Sequence, residues 1–61
     1  MMNGKQVKEI RDGLNLSRER FARLLGVSFF TVYRWETGKS KPSTLAEMRL
    51  KQILKDGEEQ V

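Results

Sequence analysis

Between Ser17 and Gly38 the sequence is punctuated as two short helices joined by a tight turn, and no other feature constrains the fold as much. Ser17 is a good N-cap, since its hydroxyl can accept from an amide of the first turn. A capping-box partner is missing: the third helical position is Arg20, and the acid sits one place earlier at Glu19. A negative charge there still suits the helix dipole. Phe21, Ala22 and Leu25 form the apolar stripe of this helix, and Gly26 terminates it. Val27 plugs the turn, Ser28 caps the next helix, and Gly38 stops that one. Val32 and Trp35 share one side of it with Ser28 and Thr31. Ala22 matters for its size, because two helices that cross closely leave no space for a bulky side chain.

The flanks extend the same pattern. Val7, Ile10 and Leu14 recur at helical spacing, so residues 5–14 read as an amphipathic helix, with Asn15 as a left-handed stop. After Gly38, Lys39-Ser40-Lys41-Pro42 reads as an exposed basic loop, since Pro42 cannot continue a helix. Ser43 or Thr44 starts a last helix whose stripe is Ala46, Leu50, Ile53 and Leu54, flanked by Leu45, Met48 and Arg49. Asp56-Gly57 is the expected end of that helix. No strand, repeat or low-complexity segment is visible. The expectation is an all-α bundle of four or five short helices: a single domain over 1–61, with a folded core over 5–54 and a frayed acidic tail over 57–61.

A chain of 61 residues has no room for a second domain and buries only a small core. It has no cysteine and no histidine, which excludes a disulfide staple and leaves only carboxylates as metal ligands. No metal, cofactor or small-molecule effector is expected. No apolar run is long enough to span a membrane, and Met1 to Gln6 lack the apolar core of a signal peptide, so the expected compartment is the cytoplasm. The net charge is +4, but three acids lie in the last six residues; the body before them holds twelve bases against five acids, or +7. A compact body that basic suits a polyanion. An enzyme is not expected: Ser17 and Ser28 are explained as caps, no histidine can serve as a base, and no glycine-rich phosphate loop is present.

Three stretches together resemble the XRE family, the helix-turn-helix proteins of the phage-repressor and Cro type. They are Leu-Ser-x-x-x-Phe-Ala-x-x-Leu-Gly-Val-Ser at 16–28, Thr31-Val32, and Trp35-Glu36-x-Gly-Lys-x-x-Pro-Ser at 35–43; Arg11 upstream also matches. The resemblance covers roughly residues 5–54 and implies a lambda-repressor-like DNA-binding domain with a central helix-turn-helix. Family members usually carry a fifth helix; four are read in this sequence, and that puts the usual dimer contact in question. The resemblance implies a recognition helix over 28–37 lying in the major groove. It matches Ser28, Phe29, Phe30 and Arg34, with Tyr33 beside them, to positions that read base edges. It matches Arg18, at the helix start beside Ser17, and Thr37, Lys39 and Lys41, with Ser40 between them, to positions that touch phosphate. It matches Arg11 and Glu36 to a structural pair.

Each of these readings has a plainer rival. A solvated surface arginine is the plainer reading of Arg34, yet Phe30, Arg34 and Thr37 share a face at i, i+4 and i+7, and its fork fits guanine. Phe30 lies nearly opposite the core side, whereas Phe29 is open to folding back over the turn. Tyr33 is open to bonding phosphate or lying idle on the surface. Lys39 and Lys41 flank the recognition helix, which favours phosphate over idle loop charge. Arg20 and Arg23 read as solvated, and Trp35 as core. The resulting expectation is a sequence-specific regulator of bacterial or phage transcription, a repressor, bound to double-stranded DNA as a homodimer. The alternative is a protein-interaction module or antitoxin component using the Phe29-Phe30 face.

Overall fold

A computed structural model describes residues 2–59. Among them are four helices and no strand: α1 (Gly4–Gly13), α2 (Arg18–Leu25), α3 (Phe29–Glu36) and α4 (Thr44–Glu59). The expected all-α bundle is the observed one.

The helices begin alike. Asn3, Ser17, Ser28 and Ser43 each accept, through a side-chain oxygen, from the amide three residues on. At Asn3 the bond is reciprocated by the Gln6 side chain, a full capping box that the sequence reading passed over; α1 therefore starts one residue before the expected position.

The first three helices also end alike. Each turns off through a left-handed residue, Asn15 (φ 57°), Gly26 (φ 74°) or Gly38 (φ 78°). The next amide, of Leu16, Val27 or Lys39, then reaches back to the carbonyl of Arg11, Ala22 or Arg34. These are Schellman motifs, which satisfy carbonyls the helix itself leaves open. Leu16 and Val27 carry an apolar side chain from each turn onto the core, so the motif locks the entry of the next segment as well as ending the helix.

Eight side chains form the core: Val7 and Ile10 of α1, Phe21, Ala22 and Leu25 of α2, Val32 and Trp35 of α3, and Leu50 of α4. Phe21, Leu50, Val7 and Val32 are fully enclosed. The start of α1 lies directly against the end of α3. A Cβ on Gly4 would stand 2.3 Å from the carbonyl oxygen of Trp35 and 2.9 Å from that of Glu36. Only glycine allows this approach, which brings the positive end of one helix dipole against the negative end of another.

Three expectations are corrected. Pro42 is buried; the basic loop is pinned at its far end and exposed only over Lys39–Lys41. Leu54 is 42% exposed, because it sits at the edge of the α4 stripe centred on Ala46, Leu50 and Ile53. And α4 runs through Asp56-Gly57 to Glu59 instead of stopping there. One helical glycine costs only about 1 kcal/mol, and Gln52 donates to Asp56 at 2.9 Å across the last described turn of side chains. Of the expected tail, residues 60–61 lie outside the described residues.

Candidate nucleic-acid interface

Helix α3 is held on three sides before any of its solvent face is used. Val32 and Trp35 enter the core on one side. At its start, Ser28 Oγ accepts from the Thr31 amide and shares a 2.9 Å hydrogen bond with Thr31 Oγ1. At its end, the amides of Lys39 and Ser40 both donate to the Arg34 carbonyl, and Thr37 Oγ1 donates to the Tyr33 carbonyl at 2.8 Å. The turn before it is buttressed from α4, where Arg49 Nη1 donates to the Leu25 carbonyl at 3.0 Å.

The strongest tie is at Glu36, whose side chain is 1% exposed. Arg11 grips it with both arms of its fork, Nε to Oε2 at 2.7 Å and Nη2 to Oε1 at 3.0 Å, while Arg11 Nη1 donates to the Leu16 carbonyl. The expected Arg11–Glu36 pair is therefore present, and it is bidentate. Arg18 adds a bond that the sequence reading missed, from Nε to Glu36 Oε1 at 3.0 Å. Burial alone would raise the Glu36 pKa, but the hydrogen bonds and charges of two arginines outweigh it and hold the carboxyl below its ordinary value. The hydrogen bond to Glu36 raises the Arg11 pKa in turn, against the opposing effect of desolvation. The guanidinium of Arg18 also lies over the Tyr33 ring, 5.4 Å from its centroid.

These ties divide the predicted site residues into two sets. The hydroxyls of Ser17 and Ser28 accept capping bonds at their helix starts, and that of Thr37 donates to the Tyr33 carbonyl. Arg18, half-buried, uses Nε on Glu36 and its flat face on Tyr33. Phe30, by contrast, is 66% exposed, and Phe29 and Tyr33 are partly exposed beside it. Phe29 meets Phe30 edge to face, with centroids 5.9 Å apart and planes at 78°. Phe29 does not fold over the turn; it borders a shallow notch with Arg11, Ser17, Arg18 and Glu19. Arg34, Lys39, Ser40 and Lys41 are all exposed, and none of the three cations has an acidic partner within ion-pair distance among the described residues. Phe30 and Arg34, one turn apart, share a solvent-exposed side of α3, and the exposed Lys39 and Lys41 follow in the loop after it.

The arrangement of two short helices about a left-handed glycine, the second presenting an unencumbered face, coincides with a family match: a helix-turn-helix family model covers residues 7–46. The chain belongs to the XRE-type helix-turn-helix family. Among similar proteins is the uncharacterized HTH-type transcriptional regulator YiaG of Escherichia coli strain K12, 39% identical over 49 residues that make up 80% of this chain and 50% of that protein. Another is antitoxin HigA-2 of Vibrio cholerae, 42% identical over 48 residues, 79% of this chain and 46% of that protein. The chain spans about half the length of these relatives. No solved structure matches it. Within this helix-turn-helix domain, Arg49 and Gly4 are the positioning residues that the sequence reading did not single out. Nothing local to either marks the carbonyls they meet.

Proposed function

We propose that this chain binds double-stranded DNA in a sequence-specific way and regulates transcription, with α3 seated in the major groove. The observation that carries the reading is the solvent side of α3 on which Phe30 and Arg34 stand exposed one turn apart, with the exposed cations Lys39 and Lys41 following in the loop after the helix. Arg34 reads guanine through its two major-groove acceptors. Phe30 and Phe29 supply apolar contact, and Lys39, Lys41 and the outer nitrogens of Arg18 neutralise phosphate. Tyr33, steadied by Arg18, is placed to offer its hydroxyl to the backbone. The family and the name of the Escherichia coli relative support this reading. Repression is the simplest outcome for a domain of this size, since an occupied operator blocks polymerase sterically. A DNA target places that work in the cytoplasm.

One recognition helix reads few base pairs, so useful affinity calls for two copies on an inverted repeat. Leu45 and Met48, 61% and 62% exposed on α4, are the contact we assign to that pairing. Selection from random duplexes at near-physiological salt tests the proposal. An enriched inverted repeat is the expected product; a single enriched short site would retain DNA reading and remove the dimer. No enrichment would reject sequence-specific binding. The second reading, a protein-binding module or antitoxin component, rests on the exposed Phe29-Phe30 pair and on the similarity to antitoxin HigA-2. It gains where that pair binds protein and the selection yields nothing.

A further inference from the structure

We infer that Phe30 makes this chain a reader of C5-methyl pyrimidines: its DNA site places a thymine or a 5-methylcytosine against Phe30, with the guanine of Arg34 within two base pairs. The inference rests on the DNA reading and deepens it. Phe30 is the most exposed large apolar side chain of the described residues, at 66%, and it stands on the one face of α3 that is free of internal bonds. Its ring is steadied rather than loose, since Phe29 packs against it edge to face at 5.9 Å. The surroundings fit a polyanion and not an apolar protein surface: Arg34 one turn on and Lys39 and Lys41 in the following loop are exposed without acidic partners among the described residues, and Glu36 is enclosed between two arginines.

A phenyl ring has no donor or acceptor. The only apolar group that the four ordinary bases present in the major groove is the C5 methyl of thymine, and methylation puts the same group on cytosine. Against any other base edge the ring would cover polar atoms and leave them unpaired. The spacing sets the register. Phe30 and Arg34 are four residues apart, about 6 Å along a helix axis, which is less than two base-pair steps of about 3.4 Å.

The test changes single groups on the DNA first. In the duplex obtained by selection, each thymine is replaced in turn by deoxyuridine, which removes one methyl and alters no hydrogen bond. One position is expected to weaken binding by about fivefold, the scale of burying a methyl group. A C·G pair at that position is expected to bind about fivefold more tightly when its cytosine carries the C5 methyl. Phe30→Ala should bind the thymine and uracil duplexes alike, with its melting temperature confirming that it folds, whereas Arg34→Ala should keep the thymine–uracil difference. Specific binding that is indifferent to every methyl, or a difference that survives in Phe30→Ala, would overturn the inference and leave the DNA reading standing. Failure to bind any duplex specifically would remove the DNA reading and the inference with it.

Discussion

Arg18 Nε donates to Glu36 Oε1 at 3.0 Å, tying the first residue of α2 to the last residue of α3. With Arg11 on the other side of the same carboxylate, three helices meet at one nearly enclosed acid. The helix-turn-helix angle is thus set at both ends: by Gly26 and Val27 where the helices join, and by Glu36 where α3 leaves.

Glu36→Ala removes the acceptor for two arginines that are mostly or partly buried. It is expected to cost about 3 kcal/mol, toward the lower end for breaking a buried pair because Arg18 can turn to solvent. Glu47→Ala removes a single acceptor of the Met2 amide at the chain's edge and is expected to cost about 1 kcal/mol. Thermal unfolding of the two variants side by side checks this. Equal losses would mean that the Glu36 cluster does not lock the helices.

The acid limb of stability should carry the same signature. The folded pKa of Glu36 lies below its ordinary value of 4.5, so the unfolded chain binds more protons through that window. Its contribution is fully present above about 4.5 and is lost as pH falls through the lower folded value. Urea midpoints measured against pH should fall less steeply below 4.5 in Glu36→Gln than in the parent chain. Parallel curves would place the acid sensitivity elsewhere.

Two glycines at opposite ends of α1 should respond with opposite signs. Gly4→Ala drives a Cβ to 2.3 Å from the Trp35 carbonyl oxygen, a backbone atom that cannot step aside, and is expected to destabilise by about 1–3 kcal/mol. At Gly13 a Cβ meets nothing within 4 Å and the backbone is helical, so Gly13→Ala should stabilise by about 0.5–1 kcal/mol. Chemical denaturation gives both values; a neutral or stabilising Gly4→Ala would show that the ends of α1 and α3 stand farther apart.

On DNA, the exposed cations should separate by role. Arg34→Ala is expected to relax preference at one base pair, losing about 1–3 kcal/mol of discrimination there. Lys39→Ala and Lys41→Ala should weaken all sequences alike and lower the slope of log affinity against log salt by about 1 each. Binding titrations over a salt series with site variants distinguish them. A change of base preference in Lys41→Ala with none in Arg34→Ala would reverse the assignment.

The elements of this fold were legible because their punctuation is local. A serine three residues before an amide, or a glycine or asparagine able to turn left-handed, acts within one or two helical turns. The sequence alone therefore yielded the starts of α2 and α3, the stops at Asn15, Gly26 and Gly38, and all eight core side chains as members of apolar stripes. The stop at Asp56-Gly57 was misread for the complementary reason: one weak breaker gives way when the helix around it is already held. Arg11 and Glu36 were paired through a resemblance and not through any local signal.

What tertiary structure alone decided lies in contacts between residues far apart in the chain. Gly4 yields to the backbone of Trp35, Arg49 closes the Leu25 carbonyl across 24 residues, and Arg18 reaches Glu36 across 18. It also buried Pro42 and left Phe30, Arg34, Lys39 and Lys41 exposed. Sequence spacing shows which side of its own helix a residue occupies. Which atoms of another helix stand opposite depends on how the helices cross, and that is set only when all of them close on the same core.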